Sequence, residues 1–361
     1  MKRFNDARSS KLKEDHSPSM NTNERLPYRL YAHIGSPYSM KMRAVLRYRR
    51  IPHVVAGRMA DWAKASKRVR VPVMPVLEYP DGRFENDSTP LILDLERRHA
   101  ERSVIPEQEA DAFLAALIED LADEWLSKAM YAYRWAFPEH TKWTGRLIAF
   151  DQQFGGGREN LERSGHDFET RQVGRNGLVG CTEANMPMLM AIAERVLAAL
   201  EPNIPARPFL FGNRPSNADF ALFGQLCQFT LDLAAAGPCQ ERAPYTMRWC
   251  HHVHDLSGHE GEWRREGEEM SPAVDALLRL AGEAYLPFLL ANEAALESGA
   301  ERVRIEAHGL AYEGAPFKYQ RRCLDDLRAG YAALSEDARS HVDPILEARD
   351  CLAPLLSSGQ T

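Results

Sequence analysis

Ile34-Gly35-Ser36-Pro37-Tyr38-Ser39-Met40-Lys41-Met42-Arg43 follows a short alternating pattern, Tyr28 to Ile34. Ser36 is a preferred helix cap, and Pro37 suits the first helical position, where a missing N–H costs nothing. Tyr38, Met42, Val45 and Leu46 then recur at helical spacing on one face. A hydroxyl placed there lies among unpaired N–H groups and positive dipole charge. The chemistry that suits this position is stabilisation of an anion. The plainer reading makes Ser36 a cap and nothing more. Ser39 is a second hydroxyl that can reach the same place, and Tyr38 reads as packing.

Two other segments offer polar groups of the right kind. In Val73-Met74-Pro75-Val76-Leu77, the residue before Pro75 is pushed to an extended backbone. Asp87-Ser88 can begin a helix with Pro90 in its first turn. The hydroxyl and N–H of Ser88 suit a carboxylate there, and Asp87 suits an ammonium group; both can equally serve as caps.

The elements that must carry these residues alternate in type over the first hundred positions. Strands are predicted at Tyr28 to Ile34, His53 to Ala56, Val76 to Tyr79 and Arg83 to Glu85, with Asp81-Gly82 as a hairpin turn. Helices are predicted at Ser39 to Arg50, at Asp61 to Lys67 and, capped by Asp87-Ser88, up to about Arg98. From about Glu107 the pattern turns helical. It comprises a long helix from Glu109 to Phe137 closed by Pro138, then Thr141 to Phe154, Asn185 to Leu200, Ser216 to Thr230 and Tyr245 to Leu256. Gly155-Gly156-Gly157 and the polar stretch to Cys181 read as an exposed connection. Beyond residue 258 the sequence predicts a helix from Pro272 to Leu296, a hairpin within Glu301 to Phe317, a helix from Tyr319 to Leu334 and one more from Ser335 to Leu356.

A chain of 361 residues has room for two or more domains. Its net charge of -6 argues against a general nucleic-acid surface. No run of about 18 apolar residues is present to span a membrane. Residues 1–26 are polar, lack the apolar stretch of a secretory signal and read as a disordered arm. The six cysteines are scattered without a CxxC pair, as expected of reduced thiols in a cytoplasmic protein.

In order and spacing, Ser36-Pro37-Tyr38-Ser39, Val73-Met74-Pro75-Val76-Leu77 and Asp87-Ser88 resemble the thioredoxin-like domain of the glutathione transferase superfamily, in its serine-type form. The helical stretch after it resembles that family's second domain, with Ser216-Asn217-Ala218-Asp219 as its capping box. The resemblance covers roughly residues 28 to 256. It implies an α/β thioredoxin-like domain at 27–101 and an all-α helical bundle at 106–257, extended by a helix–hairpin–helix tail at 258–361 packed on the bundle. It further implies that Pro75 is cis, so that Met74 offers its backbone to the cysteinyl part of glutathione as an added strand would. Asp87 and Ser88 then meet the γ-glutamyl end, with Tyr38 and Ser39 also among the binding residues.

Ser36 would face the sulfur. A free thiol titrates near about 8.5, and a hydroxyl donor plus the helix dipole favours its thiolate. Ser36 is thus a stabiliser, not a covalent nucleophile. The implied activity is transfer of glutathione, a co-substrate with no metal, to a small hydrophobic and possibly aromatic electrophile, in a cytoplasmic homodimer. The alternatives are a non-catalytic binding or interaction module and a glutathione-dependent thiol reductase, which the serine at position 36 disfavours.

Three further features stand out in the sequence. Tyr131, Tyr133, Arg134 and Trp135 could line an electrophile pocket or form core. His251, His252, His254 and His259 read as a solvated helix end, because neighbouring helical residues diverge. The tail reads either as a partial cover for the substrate cleft or as plain stabilisation.

Overall fold

The computed structural model describes residues 27–356. The arm expected at 1–26 lies outside them. The first domain is built on β1 (Tyr28–Tyr31), β2 (His53–Ala56), β3 (Val76–Glu78) and β4 (Phe84–Asn86), in the order β2-β1-β3-β4. β1 and β2 are parallel, and β3 is antiparallel to both β1 and β4. Helices α1 (Pro37–Tyr48), α2 (Met59–Ala65) and α3 (Ser88–Arg98) alternate with the strands. This is the thioredoxin-like arrangement. The first strand is shorter than its pattern predicted, and the first helix is shifted two residues toward the N-terminus, because Ser36 and Pro37 set the helix start early and Arg49 ends it.

The register decides where the polar segments go. Tyr31 pairs with Val76, and Val76 pairs with Asn86. The end of β1, the start of β3 and the end of β4 therefore share one edge of the sheet. Ser36, Pro75 and Asp87 follow, precede and follow those ends, so three distant segments converge.

The rest is mostly helical. α4 (Glu109–Leu121) and α5 (Ser127–Trp135) form the expected long helix, joined through a π turn at Ala122–Leu126. Pro138 does end that helix, but as the first residue of α6 (Pro138–Gln152). The expected Gly-rich loop is corrected: α7 (Arg158–Val173) occupies its centre. Its apolar stripe is thin, and packing rests on small residues instead. A Cβ on Gly145 would come within 2.5 Å of the Gly165 carbonyl, so the two helices touch at backbone distance. Arg146 and Glu162 pair across them at 2.7 Å.

α8 (Met186–Leu200), α9 (Asn217–Phe229), α10 (Leu233–Arg242) and α11 (Pro244–Val253) complete the bundle. α10 was not predicted; Pro238 lies inside it and masks its pattern. α9 is buried throughout and opens on the capping box: Ser216 Oγ accepts from Asp219 N–H at 3.3 Å, and Ser216 N–H donates to Asp219 Oδ2 at 2.8 Å.

The tail comprises α12 (Pro272–Leu280), a π turn at Ala281–Tyr285, α13 (Leu286–Ser298), the hairpin β5 (Val303–Ala307) and β6 (Leu310–Gly314), then α14 (Lys318–Ala332), α15 (Glu336–Glu347) and α16 (Leu352–Leu356). The single last helix expected from Ser335 to Leu356 is two, separated at Asp350, whose φ is +54°. Tail residues Tyr285, Phe288 and Tyr312 surround Trp125 of the π turn at ring distances of 6.4, 4.7 and 5.3 Å. One hydrophobic core runs from the first domain through the bundle into the tail. No helix among the described residues is long and apolar enough to cross a membrane.

Candidate functional site

Ser36 caps α1. Its backbone is extended, its Oγ accepts from Ser39 N–H at 3.3 Å, and its carbonyl accepts from Met40 N–H at 3.0 Å. A hydroxyl carries one donor and two acceptor lone pairs. The cap bond uses a lone pair, so the Ser36 proton is left to donate. Ser36 is half-buried. His33, just before the turn, is buried and pushed down to about 4 by desolvation, so it brings no charge at neutral pH. The polar groups this turn offers an anion are therefore the hydroxyl and the helix terminus.

The turn that presents Ser36 is held from the bundle. Arg134 Nη1 donates to Gly35 O at 2.7 Å, and Gln228 Nε2 donates to Ile34 O at 3.0 Å. Arg134 is itself buried and fixed by Asp232 at 2.9 Å and Gln228 Oε1 at 2.5 Å. Behind the turn, Lys41 of α1 is fully buried and bonds Glu119 Oε1 at 2.5 Å and Asp123 Oδ2 at 2.6 Å. Burial alone would lower the lysine; the two carboxylates outweigh it and hold the ammonium charged. Asn217 donates to the other Glu119 oxygen, so α1, α4 and α9 meet in one polar knot.

The remaining predicted residues divide. The Met74–Pro75 peptide is cis, with Met74 partly exposed and Pro75 buried at the start of β3. Asp87 occupies the N-cap of α3 with φ +79°, yet its side chain makes no capping bond. That corrects the capping expectation. Instead Asp87 Oδ2 accepts from Tyr319 Oη at 2.9 Å. Ser88 begins α3 and is buried. Tyr38 is partly exposed, but its hydroxyl is engaged with the Asp123 carbonyl at 2.7 Å. Ser39 is fully buried with its Oγ unpartnered among the described residues. It faces the interior as the third residue of α1, so its reach to the open side, expected from spacing, is corrected.

The aromatic end of α5 is core. Tyr133 and Trp135 are buried, and Trp135 packs on Phe168 of α7 at 5.9 Å. Tyr131 donates to Gln172 O at 2.8 Å. Polar groups not foreseen face Tyr38 instead: Glu124 and Ser127, on the π turn and its exit. Burial raises Glu124 well above the usual carboxylate range, and Asp120 and Asp123 raise it further. No group of three His, Cys, Asp or Glu residues among the described residues could hold a metal. His254 instead accepts Arg47 at its carbonyl, 2.9 Å. Two open cavities border Trp263, and neither is lined by Ser36, Met74 or Asp87.

Residues 30–103 match the family model described as "Glutathione S-transferase, N-terminal domain". This domain belongs to the glutathione S-transferase superfamily. Among solved structures, the chain resembles a glutathione S-transferase from Methylobacillus flagellatus KT with glutathione bound: 18% identity, TM-score 0.43, covering 62% of this chain and 93% of that one. It also resembles the beta-etherase LigF from Sphingobium sp. strain SYK-6: 18% identity, TM-score 0.46, covering 63% and 95%. A third is glutaredoxin 2 from Salmonella typhimurium in complex with glutathione: 14% identity, TM-score 0.42, covering 64% and 97%. No curated protein matches by sequence.

In this glutathione S-transferase domain the converging segments are those the sequence singled out. What it did not foresee comes from the bundle and the tail: the hold of Arg134, read there only as pocket lining or core, and of Gln228 on the turn, and Tyr319 on Asp87. An arginine inside an apolar helical face was the one available signal for Arg134. Nothing near Tyr319 in sequence points to Asp87.

Proposed function

We propose that the protein is a glutathione transferase in which Ser36 donates its hydroxyl proton to the glutathione sulfur and favours the thiolate. The thiolate then attacks a small hydrophobic electrophile. The observation that carries this reading is the Ser36 cap. Its oxygen is occupied as acceptor, its proton is unassigned, and it lies at a helix N-terminus on the sheet edge shared by Met74-Pro75 and Asp87. The Met74 backbone would pair with the cysteinyl residue, the α3 terminus at Ser88 would take the γ-glutamyl carboxylate, and Asp87 its ammonium group. No cysteine stands at position 36, and all six cysteines are buried, which weighs against a thiol reductase. The same reading carries a cytoplasmic homodimer.

The test is turnover of a model aryl halide beside calorimetric binding of glutathione. Ser36→Ala should lower turnover by about 10²-fold, the cost of losing one preorganised donor to a developing anion, with glutathione affinity essentially unchanged. The bound thiol should titrate below the free value of about 8.5 in the wild type and return toward it in the variant. Full activity in Ser36→Ala would overturn the assignment. Binding without turnover in the wild type would favour a non-catalytic module.

A further inference from the structure

The tail reaches back to the first domain at the sheet edge where the candidate site lies. Tyr319 is the second residue of α14, and its hydroxyl donates to Asp87 Oδ2 at 2.9 Å across 232 residues of sequence. The approach is fixed rather than casual. Two residues earlier, Phe317 N–H donates to Asn292 Oδ1 at 2.8 Å, and Asn292 Nδ2 donates to Phe317 O at 3.1 Å. Asn292 is fully buried in α13. Behind Tyr319, Cys323, Leu327 and Tyr331 follow along the helix as buried residues, with Tyr331 packed on Phe113 of α4 at 5.8 Å. α14 therefore enters at a defined place with its first turn over Asp87.

Asp87 needs such a partner. Its left-handed backbone and missing cap bond leave the carboxylate free to rotate, and no other donor reaches it among the described residues. A carboxylate offers about four acceptor positions on two oxygens, so a bond at Oδ2 leaves Oδ1 for a second donor. Asp123 and Glu124 lie within electrostatic reach of Asp87, but the first is paired with Lys41 and burial holds the second well above the usual carboxylate range, so Asp87 is left as the carboxylate open to a cation.

We propose that Tyr319 of the C-terminal extension is a positioning residue of the glutathione site: it fixes the Asp87 carboxylate so that Oδ1 receives the γ-glutamyl ammonium. The proposal rests on the assignment of that ammonium to Asp87 made above. It gives the extension a role in recognising the co-substrate, distinct from any role in choosing the electrophile.

The test uses the full-length protein with glutathione and with glutaryl-cysteinylglycine, the analogue that lacks the ammonium group. Tyr319→Phe should raise the KM and calorimetric Kd for glutathione roughly tenfold, the scale of one hydrogen bond to a charged group. Turnover at saturating glutathione should not change. The penalty should vanish with glutaryl-cysteinylglycine, and in an Asp87→Asn background Tyr319→Phe should cost little more. Unchanged or tighter glutathione binding in Tyr319→Phe, or an equal penalty with the analogue, would overturn the role of Tyr319. If wild type and Asp87→Asn bind glutathione equally well, the assignment of the ammonium to Asp87 falls as well. Weakening in Asp87→Asn but not in Tyr319→Phe removes Tyr319 alone.

Discussion

Gly35, directly before Ser36, has no room for a side chain. A Cβ there would come within 2.8 Å of Ile148 Cγ1, and Ile148 is buried on α6. The glycine lets α6 close over the turn while Arg134 holds its carbonyl. Gly35→Ala should therefore displace the turn and lengthen the Arg134 bond. The expected outcome is a stability loss of about 1–3 kcal/mol, the usual cost of overpacking, together with reduced turnover. Urea unfolding and steady-state kinetics on the same preparation check both. The two residues show how differently a site is written in sequence. The Ser36 cap was legible because its donor, acceptor and proline all lie within four positions. The clamp on Gly35 was not, because Arg134 lies 99 residues away and Gln228 bonds its neighbour Ile34 from 194 residues away.

Among the elements, α1 and α9 lie against each other at backbone distance. A Cβ on Gly224 would meet the Pro37 carbonyl at 2.7 Å. Backbone cannot swing aside as a side chain can, so Gly224→Ala should push α9 from the start of α1. A drop in melting temperature and a loss of activity exceeding those of Gly330→Ala are expected; Gly330 is an exposed glycine of α14 whose Cβ would find only ordinary contacts with Phe113. Periodicity read well wherever burial was one-sided, as in α3 and α8. It failed at α7, where packing uses glycine in place of an apolar stripe, and at α10, where a proline interrupts the pattern. It read α4 and α5 as one helix because a π turn keeps the chain helical while shifting its face. That shift brings Glu124 toward Tyr38, a placement no helical wheel of regular period would give.

At the scale of the whole molecule, bundle and tail meet over a carboxylate. Tyr285 Oη donates to Asp120 Oδ2 at 2.6 Å. Burial raises the Asp120 carboxyl to about 7, despite the tyrosine bond, which lowers it. The unfolded chain releases this proton near pH 4, whereas the folded protein keeps it until about 7. Across that window the native state binds more protons, so stability falls as pH rises, and the penalty is complete above pH 7. Asp120→Asn, which keeps an acceptor for Tyr285, should be more stable than wild type at pH 8 by roughly 2 kcal/mol, allowing for partial exposure. The difference should close near pH 4, as denaturant midpoints at the two pH values would show. No reading of the sequence alone could place this pair, because its two members belong to elements whose packing is set by the whole core.

The bond between Tyr319 and Asp87 also has a consequence in time. The two residues are 232 positions apart. A ribosome adding about 5–20 residues per second delivers the second roughly 10–50 s after the first. Domains fold as units while synthesis continues, so during that interval each nascent chain carries its first domain with Asp87 still waiting for its partner.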